Sequence, residues 1–246
     1  MRIFTRIYVG GSDQPVVRGL TLFHAGKVYD YIEPAEEVTV FESALKRFTV
    51  LNKPRQLRSE LTQEEIRHFL ALAESEAQKQ LINSQPQKSI ELLQFQLLPE
   101  FTTTFESSKS EPNKSQLTMG SPHFQYVVNA RAPESPDVLE TYLHYADWTA
   151  QLNSVLHPQS LLPAPRMMLN QELRQRGLIP QSVDLKVDAE PPVHLEAHHE
   201  WTWNLKETDR QMILEWEKLL QSPDFRRLSF RPFQQEMLKL KPGRKR

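Results

Sequence analysis

The chain has 246 residues, 39% of them hydrophobic, enough for one large domain or at most two small ones. Its 30 basic and 31 acidic residues leave a net charge of -1, so no global field draws in nucleic acid. There is no cysteine, which excludes disulfides, thiolate chemistry and cysteine-ligated zinc.

Seven glycines stand against 18 prolines. No glycines fall in the G-x-G-x-x-G or G-x-x-x-x-G-K spacing that cradles phosphates, and no G-x-S-x-G elbow is present. No window approaches the roughly 20 apolar residues of a membrane span. Residues 1–9 alternate from the start and contain no continuous apolar export segment. As written the chain is expected to act in the cytoplasm, with the periplasm or envelope as its place if its true start lies upstream.

Residues 2–9 and 16–24 read as strands joined by the turn cluster 10–15. Short segments rich in β-branched and aromatic residues follow at 27–32, 37–41 and 47–51, with a further strand at 56–61; few turn residues part them, as in an antiparallel meander. Thr62 and Glu65 then form a capping box. Ile66, Phe69, Leu70, Ala73, Ala77 and Leu81 follow at helical spacing, which predicts a helix over 62–83 ended before Pro86. Residues 90–98 and 101–105 read as extended and broken by Pro99, and 117–119 and 124–128 as strands either side of the polar loop 107–115.

Ser135 and Pro136 open a helix over 136–156 that Pro158 stops. Pro163 and Pro165 open another through Leu173, with Gly177 as its left-handed stop. Two strands come next, 183–187 and 193–205, and then a helix capped by Thr208 and Gln211. Residues 239–246 end in a basic tail. No internal repeat or linker stands out, so a single domain over 1–240 is expected, followed by the tail 241–246.

The stretches 23–32 (FHAGKVYDYI), 39–42 (TVFE) and 46–52 (KRFTVLN), with the capped helix behind them, carry a family resemblance. The chain resembles the lipoprotein-carrier (LolA-type) half-barrels, and more closely uncharacterised bacterial proteins that share that fold. The match covers residues 16–83; beyond them it extends to the order of elements. It implies an α+β fold: a single curved antiparallel β-sheet with helices covering its concave face. In the carriers that hollow receives acyl chains, and no catalytic motif or cofactor comes with the fold. Those carriers begin with a signal segment and a helix, neither of which is present here.

One stretch has metal-ligand chemistry. On the strand 193–205, His194, Glu196, His198 and Glu200 share one face. Imidazole and carboxylate suit a divalent ion, but ligands two apart on a strand lie about 6.6–7 Å from each other. A solvated face is the better reading, and no metal site is expected. The opposite face carries His199, Trp201 and Trp203, which either pack against the helix 136–156 or line an apolar pocket. Tyr29 and Tyr31, interleaved with basic residues, read as a packed sheet face, since no basic stripe supports nucleic-acid stacking.

The expected function is non-catalytic binding of an apolar, acyl-like ligand or a lipidated partner, lined by Trp201, Trp203 and Phe48 with Tyr126 and Met168 behind them. The alternatives are an interaction domain with no pocket and, more remotely, a metal-dependent hydrolase on the 194–200 strand.

Overall fold

A computed structural model describes residues 1–83, 87–107, 114–157 and 160–239. The basic tail 241–246, most of the 107–115 loop, and Pro86 and Pro158 lie outside them.

The first half is a meander: β1 (Arg2–Val9), β2 (Val17–His24), β3 (Lys27–Ile32), β4 (Glu37–Glu42), β5 (Arg47–Asn52) and β6 (Leu57–Thr62), each antiparallel to the last. Ala25 and Gly26, both at positive φ (49° and 75°), make the two-residue turn from β2 to β3. From β3 onward strands begin every ten residues, at 27, 37, 47 and 57, a structural repeat that the sequence alone did not reveal. The first three of these are each followed by a three-residue 3-10 turn and one left-handed residue: Glu36, Lys46 and Gln56, at φ 47°, 50° and 51°. Side chains differ between these connectors while the backbone geometry recurs, so letter-by-letter comparison misses the period.

Helix α1 (Gln63–Asn83) starts as predicted: the Glu65 amide donates to Thr62 Oγ1 at 3.1 Å, and Glu65 Oε2 accepts from the Thr62 amide at 2.8 Å. The segment expected to be extended from residue 90 is instead helix α2 (Lys88–Leu97). Its buried residues, Leu92, Phe95 and Gln96, are three and four apart, a helical spacing that a short apolar run obscures. Three strands follow, β7 (Thr102–Ser107), β8 (Ser115–Gly120) and β9 (Phe124–Arg131), then α3 (Pro136–Leu156) and α4 (Ala164–Arg176). Strands β10 (Ile179–Val187) and β11 (Val193–Thr202) precede α5 (Glu207–Gln221), β12 (Arg226–Arg227) and α6 (Phe230–Leu238). The N-cap of α5 is Lys206, whose amide donates to Asp209 Oδ2 at 2.8 Å, and not the Thr208–Gln211 pair.

All twelve strands join one open sheet, in the order β12-β6-β5-β4-β3-β2-β1-β11-β10-β9-β8-β7. The first strand and the last long one, β1 and β11, therefore meet in its middle. Pairing is antiparallel except at one end, where β12 runs parallel to β6; the sheet is mixed, which corrects the purely antiparallel expectation. Helices were expected on one face only. The inner face does carry α1, α2, α3, α4 and α6 over the larger core. Helix α5 lies on the other face, where Ile213 and Trp216 cover Leu20, Leu22, Tyr29, Val38, Val40 and Leu51. Strands β2 to β5 are apolar on both faces, and such strands need cover on both.

Candidate functional site

Between the inner face of the sheet and the helices α3 and α4 lies a hollow of two chambers. Strand register supplies the floor. Asp30 on β3 is opposite Thr21, which is opposite Ile3; Gly19 is opposite Thr5, and Thr5 opposite His199; Val17, Ile7, Ala197 and Val183 form the next row. The roof comes from one stripe of α3, with Tyr142, Tyr145, Ala146, Thr149, Ala150 and Asn153 at helical spacing. Arg166 projects from α4, the helix opened by Pro163 and Pro165. Gly19 adds no side chain to the floor; a Cβ there would make an ordinary contact with Ile32 Cδ1 at 3.5 Å.

The first chamber, about 300 Å³, is bounded by the Asp30 row and the Thr5–His199 row and sets several polar groups among Ile3, Ile7, Val17 and Ile32. Thr21 Oγ1 donates to Asp30 Oδ1 at 2.7 Å, and burial pushes the Asp30 carboxyl up despite that bond. The Tyr145 hydroxyl lies within reach of both Asp30 and Thr149, in contacts that fall short of good hydrogen-bond geometry. His199 Nδ1 lies 2.9 Å from Thr5 Oγ1, while its Nε2 is buried and unpartnered. Thr149 Oγ1 is poorly paired, like the Tyr145 hydroxyl. A buried polar atom left without a partner costs about 1–3 kcal/mol, so the unpartnered His199 Nε2 beside the poorly paired Tyr145 and Thr149 hydroxyls marks a place where polar ligand atoms or water belong. Burial, with the Arg166 charge behind it, holds His199 down at about 3, so the ring stays neutral near pH 7 and is a poor general base.

The second chamber, about 810 Å³, is apolar. Phe124, Tyr126, Val183, Leu185 and Leu195 of β9, β10 and β11 form one wall, and Leu161, Leu162, Pro163 and Pro165 the other. Ile7, Ala150, Arg166 and Ala197 border both chambers and so form the neck between them.

Of the residues singled out from the sequence, Tyr126 lines the apolar chamber, only 4% exposed, its phenol pushed up to about 12 by burial. Phe48 is fully buried and stacked on Phe41 at 4.5 Å between ring centres, away from both chambers. Met168 packs half-buried against the inner core. Trp201 meets Tyr142 edge-on at 4.8 Å and donates from Nε1 to the Pro180 carbonyl at 2.8 Å, an oxygen presented where β10 bulges. Trp203 is 5.9 Å from Trp201, with the Arg131 guanidinium 5.1 Å from its ring centre. These two tryptophans flank the hollow and border neither chamber.

On the outer face the pairing of β10 with β11 adds a residue that the strand alone did not suggest: Asp184, opposite Glu196. His194 Nε2 lies 2.9 Å from Asp184 Oδ2 and 3.5 Å from Glu196 Oε1, and one ligand atom from each residue fits within 4.8 Å. His198 and Glu200 stand outside this cluster. His198 packs edge-on against Tyr8 at 5.4 Å, and Glu200 pairs with Arg6. The three groups are part-exposed and already pair with one another, as on an ordinary solvated sheet face.

Sequence reasoning missed Asp30, Arg166, Tyr145 and Thr149, and noted His199 only as a neighbour of the tryptophans. A signal existed: Thr5 between Ile3 and Ile7, and Asp30 between Val28 and Ile32, interrupt apolar stripes that share a face. Among the described residues no helix is long and apolar enough to cross a membrane. Comparison with protein-family models and with curated proteins finds no match for the chain.

Proposed function

We propose that the protein is a non-catalytic binding protein that holds an apolar, acyl-like ligand, free or attached to a lipidated partner, in the hollow beneath α3 and α4. The observation that carries this reading is the apolar chamber of about 810 Å³. Protein interiors tolerate few voids larger than a water molecule, and small-molecule sites span about 300–1,000 Å³. An uncovered apolar hollow of that size is costly in water and is relieved by a ligand. The resemblance to the half-barrel carriers, whose hollow receives acyl chains, points the same way. No cofactor is needed: the polar groups offer hydrogen bonds, and the one imidazole among them is held neutral.

Titration with a fluorescent fatty-acid analogue tests the reading. Wild type takes up the probe, and Ala150→Phe, which fills the neck, weakens uptake about ten-fold or more while the fold is retained. Equal uptake by both proteins would place the probe elsewhere and overturn the reading. Absence of uptake by wild type would favour a packed interaction domain instead.

A further inference from the structure

The two chambers offer different chemistry, and a single residue stands between them. Among the described residues Arg166 is the one permanently charged cation bordering the two chambers, and it borders both; the acids on their rims are Asp30, whose carboxyl burial pushes up, and the exposed Glu190. Its Nε donates to Asn170 Oδ1 at 3.1 Å, which fixes the side chain from behind. Among the described residues it has no carboxylate partner: Asp147 is held by Arg174 at 2.9 Å and by Asn170 at 2.8 Å. Arg166 shares the first chamber with the unpartnered His199 Nε2, with the poorly paired hydroxyls of Tyr145 and Thr149, and with Tyr142, whose hydroxyl it contacts. It also borders the second chamber, whose lining is mainly hydrocarbon and rings, with Ser160 and Glu190 as its other polar members.

We infer that the hollow takes a single-chain amphiphile with an anionic head, the head on Arg166 and the poorly paired polar atoms of the first chamber, the chain in the apolar chamber. This rests on the binding reading above and names the class of its ligand. One cation without a counter-charge matches one negative charge. A cationic head would meet Arg166 at the neck, and a pure hydrocarbon would leave the polar atoms unanswered. Planar guanidinium and carboxylate are matched for paired hydrogen bonds, and in a site screened from water such a contact is stronger than on the surface.

Calorimetric titration with dodecanoate and with its methyl ester, which share a chain and differ in charge, tests the inference. Wild type binds the acid at least about ten-fold more tightly than the ester, as one charge-assisted contact implies. Arg166→Met brings the two ligands within about two-fold of each other, and Arg166→Lys restores most of the preference. Ester binding by the Met variant shows that its chamber is folded; the wild-type acid-to-ester ratio decides the matter even if that variant does not fold. Equal binding of acid and ester by wild type overturns the head-group inference and leaves the binding reading standing. Failure of both ligands to bind overturns the two together.

Discussion

Asp30 shows how a residue can be placed by alternation and still go unnoticed. It shares its face with Val28 and Ile32, while Tyr29 and Tyr31 on the other face turn to Trp216 of α5. A carboxylate in such a stripe needs either a partner or a hollow, and here it has both, Thr21 and the first chamber. Glu37 on the next strand is a second buried acid, opposite Asn52, and burial raises it to about 7. The sign follows from linkage: between the ordinary carboxylate value near 4.5 and about 7, the folded state holds a proton that the unfolded state has released, so this group makes stability fall as pH rises. Glu37→Gln removes that loss. Urea unfolding should find the variant up to about 3 kcal/mol more stable than wild type at pH 8 and little different at pH 4.5. A difference that does not change between those pH values would contradict the assignment. The pattern of the sequence could supply the faces of Asp30 and His199, but not their meeting. That meeting depends on β1 lying between β2 and β11, a pairing of residues nearly 200 positions apart.

At the scale of elements, local chemistry was legible where a cap or a turn is written in adjacent residues. Thr62 with Glu65 begins α1, Ser135 with Pro136 begins α3, and Gly177 in the left-handed region ends α4. Helix α2 was missed because a ten-residue helix with three buried side chains looks like a short buried strand. The β3–β6 connectors were found, but not their common geometry. Lys46 takes a left-handed conformation that a side chain disfavours by about 1–2 kcal/mol, and its exposed side chain makes no compensating contact. Its amide and carbonyl bond to Ser43 and Gln63, and glycine keeps both bonds. Lys46→Gly should therefore raise the melting temperature by a degree or more, after about 0.4–1 kcal/mol is lost to the freer unfolded chain. Lys46→Val should lower it by several degrees, because a β-branched residue strains most at positive φ. The opposite order in thermal unfolding would show that the left-handed position is not what limits this turn.

At the scale of the whole molecule, the sheet is two antiparallel runs joined through β1 and β11, and the seam between them floors the hollow. The β9–β11 region has one solvated face, with His194, Glu196, Gln125 and Asn129 turned outward. The β2–β5 region departs from that pattern: its second face is roofed by α5 through Trp216, an arrangement for which the low hydrophobic fraction gave no hint. A two-dimensional amide NMR titration with dodecanoate separates the inner face from the outer one. Shifts concentrated at Val183, Leu185, Leu195 and Ala197 of the inner wall, with Asp184, His194 and Glu196 changing far less, are the expected result. Shifts centred on the outer cluster, or none at saturating ligand, would contradict a ligand-holding hollow between sheet and helices.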